Sequence, residues 1–295
     1  MHRRFIEDID RNLETMARLP DAQGESLEEQ VHIFRKLGKR VRALLELFYP
    51  GQGGEVRRFR RKIAEVARSL SHSRDRHVAL ETAKTLLEKS EGPALHDSSR
   101  CVLVAFIESL SLDLAKDADT IHATLIRSCQ RIEKLRNRFP AVASSVRATK
   151  PAIGLLHSYR LGRSRVKPVS TEAAEVERFH DLRKITKQLG YQLDWMEASK
   201  KLSLTSIRGR CEELGDLLGT GLDLKRLAEQ FEEWLVAWQH EDGQGKSVNT
   251  KFGSDFVSEL FGLGMVKCHE STNFACRLYF ESSKSFGTRL ELDEA

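Results

Sequence analysis

One stretch of this 295-residue chain occurs twice, and that constrains its fold more than any other feature. Residues 31–47 read VHIFRKLGKRVRALLEL, and residues 179–195 read FHDLRKITKQLGYQLDW. His32, Arg35, Lys36 and Lys39 fall on His180, Arg183, Lys184 and Lys187 at a constant offset of 148. The same offset carries Arg60 onto Arg208, Lys62 onto Arg210, Leu70 onto Leu218 and Asp75 onto Asp223. A register held without a gap over about fifty residues implies two similar structural units.

Both copies have the period of a helix. In the first, Val31, Phe34, Leu37, Val41, Leu44, Leu45 and Phe48 share one face at 3.6-residue spacing. Ser26 with Glu29 forms a capping box ahead of it, and Pro50-Gly51, followed by Gly53-Gly54, ends it. Phe5, Ile9, Leu13 and Met16 predict a helix that stops near Pro20. Helices are expected over about 55–70 and 74–90, with a break at Gly92-Pro93, then over 97–117, 119–138, 141–158, 171–200, 203–219 and 221–240. Asp75 and Asp223 are placed as N-terminal helix caps. The basic, Pro-terminated segment RLGRSRVKPVS, residues 160–170, reads as the junction between a first half of about 1–158 and a second of about 159–240. The expected fold is all-α, two helical bundles of about four helices each. Residues 241–295 differ: a polar linker, EDGQGKSVNT, precedes a Gly-, Ser- and Phe-containing extension without a definite fold, in which NFACRLYFES alternates like a short strand.

The charge lies opposite the apolar stripe. His32, Arg35, Lys36, Lys39, Arg40 and Arg42 occupy that face, and no acidic residue interrupts Val31 to Leu45. His180, Arg183, Lys184 and Lys187 repeat it, with no acid from Leu182 to Leu193. Solvated helix faces usually mix signs, because opposite charges at i,i+4 stabilise them. A single-sign face forgoes that, and a bound polyanion would offset the repulsion. Arginine forks and flexible lysines together suit a repetitive phosphate chain. Arg160, Arg163, Arg165 and Lys167 crowd the junction, and Arg57, Arg58, Arg60, Arg61 and Lys62 crowd another helix. The net charge of +5 is uneven: nine acidic and six basic residues from 241 onward leave about +8 on the first 240.

Other chemistries find little support. Cys101, Cys129, Cys211, Cys268 and Cys276 form no CxxC pair, so neither a disulfide framework nor a zinc site is expected. Two histidines without HxH or HExxH spacing make no metal site. There is no phosphate-binding Walker loop, dinucleotide glycine motif or serine nucleophile elbow. The first residues lack the apolar core of a signal peptide and no run is long enough to span a membrane, so a cytoplasmic setting is expected.

The duplicated His-x-x-Arg-x-x-x-Lys pattern, His32-Arg35-Lys39 and His180-Arg183-Lys187, resembles that of the CHAD family, the conserved-histidine α-helical domain. SRDRHV at 73–78 and LGDLLGTGLD at 214–223 resemble the family's turn in each half, and SYRLGRSR at 158–165 resembles its basic segment before the second repeat. The resemblance covers residues 1–240 and not the extension. It implies two similar four-helix bundles packed around a basic central cavity, binding of inorganic polyphosphate there, association with polyphosphate granules, no cofactor and no catalytic activity of its own. Carried over, His32, Arg35, Lys36, Lys39, Arg40, Arg42, His180, Arg183, Lys184 and Lys187 line that cavity; Arg160, Arg163 and Arg165 of the basic junction are expected as further polyphosphate contacts.

This chain departs from the family pattern where Gly190 precedes Tyr191, where Gln188 stands in place of a base, and at His77 and Gly215. The second half therefore offers fewer cations. A nucleic-acid-binding helical protein is the alternative that would use the same faces, although few aromatics lie near the charge for base stacking. An adaptor acting through its C-terminal extension is another.

Overall fold

Helical periodicity becomes helix almost throughout. A computed structural model of the chain describes residues 2–21, 24–51, 54–88, 97–145, 147–200, 204–241 and 247–289. Its helices are α1 His2–Ala17, α2 Leu27–Phe48, α3 Gly54–Arg68, α4 Ser71–Glu88, α5 Asp97–Lys116, α6 Ala118–Ser144, α7 Pro151–Ser164, α8 Glu172–Lys200, α9 Thr205–Glu241, α10 Ser247–Leu278 and α11 Ser283–Arg289, with a 3-10 turn at Leu19–Asp21. No strand occurs among the described residues. No described helix is long and apolar enough to cross a membrane. The expected breaks at Gly53 and Gly92-Pro93, and residues 242–246 of the expected linker, lie outside the described residues.

Helix α2 shows why the pattern works. The Ser26 hydroxyl accepts from the Glu29 backbone N–H at 3.2 Å, satisfying one of the free donors of the first turn. Val31, Phe34, Val41, Leu44, Leu45 and Phe48 are all buried, each removing apolar area worth about 1.5–3 kcal/mol. The chain leaves the helix at Tyr49 and turns through Gly51 at φ 63°, a conformation that favours glycine.

The chain forms two compact units, each gathered from separate stretches. The first comprises Met1–Ser71, Thr120–Asp216 and Thr272–Ala295. In it α2 packs against α1, α3, α7 and α8. Phe5 stacks on Phe48 at 3.9 Å, and Phe48 meets Trp195 edge-on at 5.1 Å. Gly154 of α7 lies against the backbone of α2: a Cβ there would stand 2.0 Å from the Leu47 carbonyl oxygen. The second unit comprises His72–Asp119 and Leu217–Ser271. Phe231 is set among Phe106, Trp234 and Phe256. Within it α9 and α10 approach through Gly221 and Gly264, where a Cβ on either glycine would meet the other's carbonyl oxygen at 2.7 Å.

Several local expectations are corrected. The segment NFACRLYFES is not a strand: it forms the end of α10 and the turn after it. Ser271, Ala275, Leu278 and Tyr279 are buried at the spacing i, i+4, i+7, i+8, a helical period that the short alternation concealed. The extension is divided: up to Ser271 it belongs to the second unit, and from Thr272 it belongs to the first, where Phe286 stacks on Tyr159 at 3.8 Å and the Tyr279 and Thr186 hydroxyls are 3.1 Å apart. Helix α6 continues through Pro140 because Phe139, Val142 and Ala143 are buried around it. The segments 203–219 and 221–240 are one helix, in which Gly215 and Gly221 serve close packing rather than a break. Asp75 and Asp223 are not N-caps: each lies inside a helix, and the Asp75 carboxylate accepts from Arg226 at 2.6 Å.

Candidate anion-binding site

The duplicated basic segments become α2 and α8, which pack against each other in the first unit. The Gln192 side-chain amide donates to the Ala43 carbonyl at 3.0 Å, and Arg40 pairs with Asp194 at 3.0 Å. His32, Lys36 and Lys39 are exposed, while Arg35, Arg40 and Arg42 are half-buried along the same helix. On α8, Lys184 is exposed, and His180, Arg183 and Lys187 are half-buried. Arg160 and Arg163 are exposed on α7, and Arg165 just beyond its end pairs with Asp181 at 3.6 Å.

The candidates divide by what already holds them. Arg35 donates to the Ala67 carbonyl at 3.0 Å and to the Ser71 hydroxyl at 2.6 Å, fixing the end of α3 against α2. Arg183 donates to the Gly215 carbonyl at 3.4 Å. Lys187 pairs with Asp216 at 2.8 Å, and Lys184 with Asp181 at 3.3 Å. Gln188, which stands where a base was expected, bonds its amide to the Ser158 hydroxyl at 2.9 Å and so ties α8 to α7.

Sequence reasoning missed four groups. Buried Glu46 accepts from Arg60 and from the Gly51 backbone N–H at 3.0 Å, and His157 lies 3.3 Å from it. Buried Arg178 clasps Glu175 and donates to the carbonyls of Arg165 and Val166, each at 3.1 Å, which fixes the junction. Asp181 and Asp216 place negative charge beside the second basic helix. Arg68, at the end of α3, lies close enough to Arg42 for the two charges to repel. An acid three residues from a base, as in Glu175-Arg178 and Asp181-Lys184, was the sequence signal available; the other contacts depend on tertiary packing.

The local field follows. Burial first, and then Arg68, push the Arg42 guanidinium below its usual range. Burial and Arg42 push Arg60 down to about 10. Burial first, and then Arg160 and Arg60, lower the His157 imidazole. Such a cluster of positive groups attracts multivalent anions.

Two cavities lie elsewhere in the first unit. One of about 680 Å³ is lined by Arg210, Glu213, Phe274, Cys276, Arg277 and Phe280. The other, of about 460 Å³, is lined by His2, Phe48 and residues 147–151. No group of three or more His, Cys, Asp or Glu side chains suited to a metal ion occurs among the described residues.

The CHAD domain family model matches residues 7–232, a span that includes both basic helices and most of α9. No curated protein matches the chain. Among solved structures the chain is similar to the crystal structure of the CHAD domain from the plant Ricinus communis, at 18% identity and a TM-score of 0.59, covering 91% of each chain. At that identity the likeness concerns the fold. The family match over most of the chain, together with an all-helical fold that carries the duplicated basic pattern on α2 and α8, places this protein in the CHAD domain family.

Proposed function

We propose that this protein binds inorganic polyphosphate on its paired basic helices. The observation that carries the reading is the acid-free run from Val31 to Leu45 on α2, packed against α8 with its own cations. A phosphate chain carries about one charge per unit, and lysine and arginine contacts would release its counterions. Lys36, Arg42, Arg68, Arg160 and Arg163 are the principal donors, because none has a carboxylate partner among the described residues. Arg35 and Arg183 have a second role, holding the helices that present them. Binding requires no chemical step, so the protein acts as a polyphosphate-recognition module rather than an enzyme, and its association with polyphosphate granules would follow from that recognition.

The test is equilibrium binding of the purified protein to long-chain polyphosphate over a salt series, with orthophosphate and DNA as competitors. The proposal expects affinity to fall linearly in log–log form with salt, and orthophosphate and DNA to compete poorly. Equal competition by DNA would transfer the site to nucleic acid. Lack of binding would remove the proposal.

A further inference from the structure

The two basic helices each form a seam with the helix that follows, and both seams are closed at their ends by equivalent contacts. In the first, Arg35 of α2 bonds the Ala67 carbonyl of α3 at one end, and Glu46 pairs with Arg60 at the other. In the second, Arg183 of α8 bonds the Gly215 carbonyl of α9, and Asp194 pairs with Arg208 at 3.4 Å. Each of these second-seam residues lies 148 positions after its counterpart. The closures therefore define which residues correspond between them.

Helical spacing identifies the intervening positions. Residues 35, 39, 42 and 46 form one row on α2, and residues 60, 64 and 68 form the facing row on α3. Lys39, Arg42, Ala64 and Arg68 thus lie between the closures of the first seam. Their counterparts in the second seam are Lys187, Gly190, Glu212 and Asp216. Three cations make the first interval +3. One cation and two acids make the second −1. The Lys187–Asp216 contact of 2.8 Å shows that groups in the second interval meet directly. In the first, Arg42 and Arg68 repel, and neither has a carboxylate partner among the described residues.

We infer that polyphosphate is gripped on the α2–α3 seam by Lys39, Arg42 and Arg68, and that Asp216 and Glu212 act as internal anions that keep the α8–α9 seam from binding it. The inference rests on the polyphosphate reading and makes it one-sided. Arg42 and Arg68 would form one phosphate subsite, since two guanidiniums brought together without an acid are stabilised by a shared anion. On the other seam a phosphate would have to displace the Asp216 carboxylate and would meet Glu212. Arg68 and Asp216 become specificity-determining residues in this account, with opposite signs at corresponding positions.

The experiment compares the full chain with two double variants, by affinity for long-chain polyphosphate and by its salt dependence. Arg42→Gln with Arg68→Gln should weaken binding about tenfold or more and reduce the salt slope by about two. Gly190→Arg with Asp216→Arg should tighten binding and steepen the slope by a similar amount. Gly190 has room for the first change, because a Cβ there meets only the Cys211 Cβ at 3.6 Å. Asp216→Asn alone provides a milder version, freeing Lys187, and should also tighten binding. Wild-type affinity in the Arg42/Arg68 variant, or unchanged affinity and slope in both Asp216 variants, would overturn the one-sided site while leaving polyphosphate binding in place. Failure of the unaltered chain to bind would instead remove the reading on which the inference rests.

Discussion

The Arg183 guanidinium donates to the carbonyl oxygen of Gly215 at 3.4 Å, as Arg35, 148 residues earlier, donates to that of Ala67 at 3.0 Å. Two of the most prominent basic residues are thus also fasteners between helices. Any reading of them as ligand contacts alone would confuse loss of binding with loss of structure. The shorter first contact is reinforced by the Ser71 hydroxyl at 2.6 Å.

Arg35→Ala should therefore lower stability by about 1–3 kcal/mol, because it leaves a part-buried carbonyl and hydroxyl without their charged donor. Lys36→Ala, one residue on and exposed, should change stability by less than about 0.5 kcal/mol while weakening polyphosphate binding. Urea denaturation of both variants, alongside binding, checks the distinction. Equal stability losses would mean that the Arg35 contacts are incidental.

Glu46 and Asp194 occupy corresponding places but differ in burial: the Glu46 side chain is 6% exposed and that of Asp194 36%. Glu46→Ala should cost about 2–4 kcal/mol, since it strands the mostly buried Arg60 guanidinium. Asp194→Ala should cost about 1 kcal/mol or less, since water can replace it around Arg40 and Arg208. Denaturation midpoints measured at one pH would show the ranking, and a larger loss at Asp194 would refute it.

His157 sets an acid-side dependence. Its folded pKa lies below the ordinary value of 6.5, through burial, Arg160 and Arg60, so folding favours the neutral ring. That contribution is fully present above pH 6.5 and is lost as the pH falls below it toward the folded pKa. His157→Gln should consequently flatten the fall of Tm on the acid side of pH 6.5. Parallel Tm-against-pH curves for the two proteins would exclude the histidine as the source.

Gly154 and Gly162 offer a test of packing. A Cβ at Gly154 would strike the Leu47 backbone, with its carbonyl oxygen at 2.0 Å, whereas one at Gly162 would meet the Tyr279 ring at 2.4 Å. Overpacking typically costs about 1–3 kcal/mol and more where backbone must move. Gly154→Ala should thus destabilise more than Gly162→Ala, because a side chain can swing aside and a helix backbone cannot. Thermal melts of the two variants decide it; the reverse order would place the rigid contact at Tyr279.

The primary structure alone determined the helical class, the α2 boundaries and the basic faces. Those features are written in local period: Val31 to Phe48 repeat at helical spacing, Ser26 caps them, and the cations fall on the other side. The constant offset also identified which residues correspond. The C-terminal extension was not legible, because a few alternating residues cannot distinguish a strand from a helix whose buried positions, Ser271, Ala275, Leu278 and Tyr279, face several neighbours. Nor could local pattern show that Arg35 fastens α3, that Gln188 bonds Ser158, or that Asp216 neutralises Lys187. The local sequence sets how much charge a helix carries, but only tertiary packing sets which carboxylate, carbonyl or second guanidinium stands within reach of it, and that distance decides whether a cation serves the fold or remains for a ligand.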